Sequence, residues 1–148
     1  MGSNRNILFL FILLPLSAIA LHLDIKDQLT GEQLGKVHAF ERNSQMLISI
    51  PDALQILDIP YQFDLEKKQA VIQKQGTLKI VALSPFLLLN DTVYQAAMQP
   101  IFYREGLYLP AQSLSYLKKV GIELDYIPDR HILEYPMRAA NLTDIQFR

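Results

Sequence analysis

The chain has 148 residues, half of them hydrophobic, a formal net charge of −1 and no cysteine. That is enough apolar material for one shared core, and it rules out a disulfide scaffold. It also excludes a nucleic-acid binder, which needs a basic surplus to neutralise phosphates.

The N-terminus has a three-part layout. Met1 to Asn6 is polar and contains Arg5, Ile7 to Leu14 ("ILFLFILL") is uninterrupted apolar sequence, and Ala18 and Ala20 form an A-x-A site. This is the pattern of a secretory signal peptide, so residues 1–20 are expected to be removed, leaving Leu21 first. The apolar run is short for the roughly 30 Å of hydrocarbon that a spanning helix must cross. No transmembrane anchor is expected after cleavage. Export without disulfides places the chain in a bacterial envelope, periplasmic or extracellular.

From Leu21 the pattern is of short strands. "LHLDIKD" alternates Leu21, Leu23 and Ile25 against His22, Asp24 and Lys26, the period of a half-buried strand. "LTGEQLG" reads as a turn, "KVHAFER" as a second strand, and "NSQ" as a turn into "MLISI". At Pro51 the period changes: Leu54 and Leu57 in "PDALQILDI" are helically spaced, proline suits the first helical turn, and Pro60 ends it. "YQFDL" and "QAVIQ" form a hairpin around "EKK", and "TLKIVAL" follows Gly76 as a further strand. "LLLNDTVYQ" turns at Asn90-Asp91 and "QPIFYREGLYLP" at Glu105-Gly106. A second helix follows Pro110, with Leu114, Leu117 and Val120 as its buried stripe and Gly121 as its stop. "IELDY" and "HILEY" close a last hairpin around "IPDR", and periodicity is lost after Pro136.

Two stretches repeat one plan. Ile48 to Ile72 and Leu107 to Leu133 each run from an apolar extended segment through a proline and a helix to a hairpin with an Asp. Pro51 aligns with Pro110, and Asp64 with Asp125, with two residues fewer between proline and aspartate in the first copy. This predicts an α+β fold of two pseudo-repeated strand–helix–hairpin halves, about 35–75 and 76–135, with mostly antiparallel sheet and two short helices. Neither half closes a core alone, so the two must share one. The expected organisation is a signal peptide at 1–20, a domain at 21–135, and a linker or truncated C-terminal extension at 136–148.

With "YLPAQ" as its proline motif and "IELDY" as its aspartate strand, this layout resembles the copper amine oxidase-like N-terminal domain of secreted bacterial proteins. The resemblance covers roughly residues 35–135. It departs from the family pattern at Gln112 and Ala53, where an Arg is usual, and at Leu124 and Phe63, where a Trp is usual. It implies a non-catalytic exported module, binding no copper, that positions or anchors a partner at the cell wall. The alternatives it carries are the N-terminal part of a peptidoglycan N-acetylmuramoyl-L-alanine amidase and a stand-alone periplasmic interaction domain. The partners implied are peptidoglycan or another envelope protein.

The residues offer little chemistry. His22, His38 and His131 fall on separate predicted strands without H-E-x-x-H spacing, so neither a metal site nor a metal cofactor is expected. Ser115 to Lys118 matches S-x-x-K but lacks its S-D-N and K-T-G companions, so no catalytic residue is assigned. Asp64 and Asp125 read as turn caps. Tyr103, Arg104, Tyr108 and Tyr126 are the candidate binding residues, able to line a sugar- or peptide-binding face or to pack across strands.

Overall fold

The computed structural model describes residues 19–96, 99–104 and 106–137. The expected signal core and most of the 136–148 extension lie outside these. The architecture is mostly antiparallel sheet with two short helices, 52% strand against 14% helix, so the strands determine the core's shape.

Among the described residues, twelve strands form two sheets. The larger contains β1 (Ile19–Asp27), β2 (Gln33–Arg42), β3 (Gln45–Ser49), β9 (Ile101–Tyr103), β10 (Gly106–Pro110), β11 (Asp125–Ile127) and β12 (Ile132–Tyr135), in the order β11-β12-β1-β2-β3-β10-β9. The smaller runs β4 (Tyr61–Asp64), β5 (Gln69–Gln73), β6 (Thr77–Val81), β7 (Phe86–Leu89) and β8 (Thr92–Gln95) as an antiparallel meander. Among the described residues, the one parallel pairing is β1 with β12. Asn43 and Ser44, both at positive φ, make the two-residue turn from β2 to β3 whose backbone twist suits a hairpin.

Helix α1 (Ile50–Ile56) starts where the sequence places it. Ser49 is its N-cap, with Oγ accepting from Asp52 N at 3.4 Å, Pro51 lies in the first turn, and Asp52 adds a favourable negative charge there. It ends at Asp58, whose φ of 55° lets Ile59 N donate back to Leu54 O at 2.9 Å. The second helical segment opens with a 3₁₀ turn, Ala111–Ser113, before α2 (Leu114–Lys118). Gly121, φ 85°, then lets Ile122 N donate to Leu117 O at 3.0 Å.

These matched endings set the alignment of the halves. Asp58 corresponds to Gly121, Ile59 to Ile122, and the positive-φ turn residues Lys68 and His131 to each other, all at one constant spacing. At that spacing Asp64 faces Ile127, and Asp125 faces Gln62; the Asp64–Asp125 equivalence read from the sequence is therefore corrected. The second copy carries the extra 3₁₀ turn between its proline and its helix, which displaced the sequence alignment. Asp64 does cap its turn, Oδ1 accepting from Glu66 N at 3.0 Å and Lys67 N at 3.1 Å. Asp125 does not: it opens β11 and pairs with Lys118. Pro51 and Pro110 both sit at strand-to-helix junctions, Pro51 inside the first helical turn and Pro110 as the last residue of β10.

The halves meet where β3 and β10 pair antiparallel, Leu109 opposite Ile48 and Tyr108 opposite Ser49. One apolar cluster takes residues from both, including Leu54, Leu57, Ile59 and Ile72 with Leu109, Leu114, Leu117 and Leu133. α1 lies close on β2; a Cβ at Gly35 would come within 2.8 Å of the Ile56 side chain. The hairpins then diverge, β4–β5 continuing into the small sheet and β11–β12 joining β1. Phe63 on β4 stacks on Phe102 of β9 at 6.0 Å, tying an edge of each sheet together.

Gly121→Ala is expected to destabilise the fold by at least about 1–2 kcal/mol, since an L-residue pays that to adopt the left-handed conformation and the new Cβ would also meet Gln75 Cδ at 2.6 Å. Asp58→Gly, at the matching position, should stay within about 1 kcal/mol of the parent. Urea denaturation midpoints of the two variants check this difference.

Candidate functional site

Strand alternation gives the large sheet two unlike faces. Leu23, Val37, Ala39, Ile48 and Leu109 point into the main core. Residues one step out of phase, His22, His38, Phe40, Leu47 and Tyr108, point the other way. Phe40, Leu47 and Tyr108 form a second, small buried cluster with Ile101 packed against it. Beside that cluster an open groove of about 420 Å³ runs across the face, bounded by β1, β2, the start of α1 and the β9–β10 turn. Such a volume lies within the roughly 300–1,000 Å³ of small-molecule sites.

Its aromatic wall is Phe40, Tyr103 and Tyr108. The Phe40 ring centroid is 4.7 Å from that of Tyr108 and 5.7 Å from that of Tyr103, an edge-on contact in the second case. Tyr103 remains 48% exposed, so its ring offers a free surface. The Arg104 guanidinium lies 5.3 Å from the Tyr103 ring centroid, a cation–π arrangement, and makes no ion pair among the described residues.

The polar wall comes from two histidines and an aspartate. His22 and His38 are direct partners in the β1–β2 ladder, and their ring centroids are 4.5 Å apart. β3 stops at Ser49, so the outward N–H of His38 finds no strand partner. Asp52, in the first turn of α1, takes its place: Oδ2 accepts from His38 N at 2.9 Å and lies 2.7 Å from His38 Nδ1. A carboxylate oxygen accepts at this contact, so Nδ1 carries a proton there and Nε2 is left free of it. A helix start thus holds one imidazole in one orientation.

Three of the four candidate binding residues, Tyr103, Arg104 and Tyr108, line this groove, and Pro51 lines it with them. Tyr126 does not. It lies on β11, packs against the main core and holds its hydroxyl 3.4 Å from His131 Nδ1. Burial, with a smaller contribution from the Glu41 carboxylate, raises the Tyr126 hydroxyl above its ordinary pKa. From the sequence, His22 and His38 stand out only as metal-ligand candidates set aside for lack of spacing, and Asp52 and Phe40 do not stand out. Their signal was the placing of His22 and His38 on either side of one turn, but the β1–β2 ladder shifts register between Ile25 and Lys26, so counting back from the turn does not pair them.

Elsewhere, Ser115 donates its hydroxyl to Gln112 O at 3.3 Å, and Lys118 is engaged by Asp125. Among the described residues no group of three or more His, Asp or Glu side chains is arranged to hold a metal ion. No described helix is long and apolar enough to cross a membrane.

The Tyr108 hydroxyl is raised above its ordinary pKa near 10, chiefly by burial, then by the Asp52 carboxylate and Tyr103, with Arg104 opposing. A pKa higher in the folded than in the unfolded state favours the fold fully below the unfolded value and loses that contribution as pH rises through the folded one. Thermal unfolding followed upward from about pH 10 should therefore show a steeper alkaline loss in the parent than in Tyr108→Phe.

No family model matches the chain, and no curated protein or solved structure matches it significantly.

Proposed function

We propose that the chain is a non-catalytic exported module of the bacterial envelope that positions a partner at the cell wall by binding peptidoglycan through this groove. The observation that carries the reading is the half-exposed Tyr103 ring, backed by Phe40 and Tyr108 and flanked by Arg104, at the mouth of an open groove. Tyrosine rings present flat apolar faces with polar tips, which suits the C–H face and hydroxyl rim of a sugar ring. The resemblance to the copper amine oxidase-like N-terminal domain supplies the envelope setting and the role of an accessory to another domain.

Export and wall binding are supported by different features. The first rests on the layout of residues 1–20, and the second on the groove. The β1 strand begins at Ile19, so cleavage after Ala20 would trim two residues from its end, and the new terminus at Leu21 would lie beside the groove.

The purified chain is expected to sediment with isolated sacculi. Tyr103→Ala should weaken that retention by about tenfold, the usual scale for truncating an aromatic anchor. Tyr103 is half exposed on an edge strand, so its unfolding midpoint should be unchanged. Complete recovery of the parent protein in the supernatant would remove the wall-binding reading.

A further inference from the structure

We infer that the groove is built for a saccharide that carries a carboxylate, and that Arg104 is the residue that selects the acidic sugar over its neutral counterpart. The inference rests on the wall-binding reading for its setting and goes further in naming the ligand chemistry.

Three features converge on that ligand, each answering a different part of it. Tyr103 offers a half-exposed ring face and hydroxyl, backed by the buried Tyr108 ring with centroids 6.3 Å apart. His38 offers a fixed polar group, because Asp52 holds its Nδ1 at 2.7 Å and leaves Nε2 to hydrogen-bond a ligand hydroxyl. A histidine side chain 63% exposed, yet tied down at one nitrogen, is well placed to meet a ligand. Arg104 offers a guanidinium with no acidic partner among the described residues.

Charge in the groove points the same way. Among the described residues, the titratable and charged groups lining it are His22, His38, Asp52, Tyr103, Arg104 and Tyr108. Asp52, the single acid among them, already accepts two hydrogen bonds from His38. No ion pair joins Arg104 to it or to any other acid among the described residues, so the guanidinium beside Tyr103 stands as an unpaired cation in the groove. Guanidinium–carboxylate recognition is charge-assisted and can be bidentate, whereas a neutral acetamido or hydroxyl group at that point leaves the cation without an anion. An aromatic wall alone would accept any sugar; the guanidinium beside it discriminates.

The test uses the purified chain and isothermal titration with three disaccharides. These are N-acetylglucosamine–N-acetylmuramic acid, the neutral N-acetylglucosamine dimer, and a glucuronic acid–N-acetylglucosamine disaccharide. An acidic disaccharide should bind about ten- to a hundredfold more tightly than the neutral one, the scale of one hydrogen-bonded charge pair. Arg104→Gln should abolish that preference, and an unfolding midpoint close to the parent's reports that the variant is folded. Equal affinity for acidic and neutral sugars, or a preference that survives Arg104→Gln, overturns the inference. Binding of the uronic disaccharide alone upholds it and removes peptidoglycan as the source. Retention on sacculi with no binding of any of the three overturns it and leaves the wall-binding reading standing.

Discussion

Strands β3 and β10 carry the pairing on which the rest of the molecule depends. They are the equivalent strands of the two halves, and they pair antiparallel with each other, Leu109 opposite Ile48 and Tyr108 opposite Ser49. Two copies of one strand that pair in this way bury the same face of each, as in an isologous interface. Ile48 and Leu109 are fully buried on one side, and each strand delivers its helix onto the common core. Without this ladder each half would present an open edge and half a core.

The same ladder creates the groove. Because side chains alternate along a strand, the register that sends Ile48 and Leu109 inward sends Leu47 and Tyr108 outward, where Phe40 joins them. The abrupt end of β3 matters as much. It leaves the His38 N–H without a ladder partner, and the first turn of α1 supplies Asp52 in its place. Here the group that satisfies this backbone donor also fixes a side chain in the groove. Fold and site share one joint, the strand-to-helix junction at Ser49 to Asp52.

The repeat has diverged around that joint. Each half keeps its strand, its helix with a left-handed stop, and its hairpin, but the second inserts a 3₁₀ turn after Pro110 and sends its hairpin to β1. The first sends its hairpin into a meander instead. The inserted turn is three residues of ordinary composition, Ala111 to Ser113. Nothing in their identities distinguishes a 3₁₀ turn from the start of an α-helix, so the sequence alignment ran straight through them and matched Asp64 to the wrong partner.

Local physics was enough for much of this fold. Period-two alternation marked β1, Pro51 and Gly121 marked one helix start and one helix end, and the turns at Asn43-Ser44 and Asn90 fell where small polar residues tolerate positive φ. Tyr103, Arg104 and Tyr108 were legible as a cluster because they lie within one short hairpin. His22, His38 and Asp52 were not, since what brings them together is strand register, a β-bulge and the point at which a neighbouring strand stops. Those are settled by pairing between segments distant in the chain, and a one-residue slip would have turned both histidines inward. The elements were therefore written in the sequence, while the groove's polar wall belongs to tertiary structure alone.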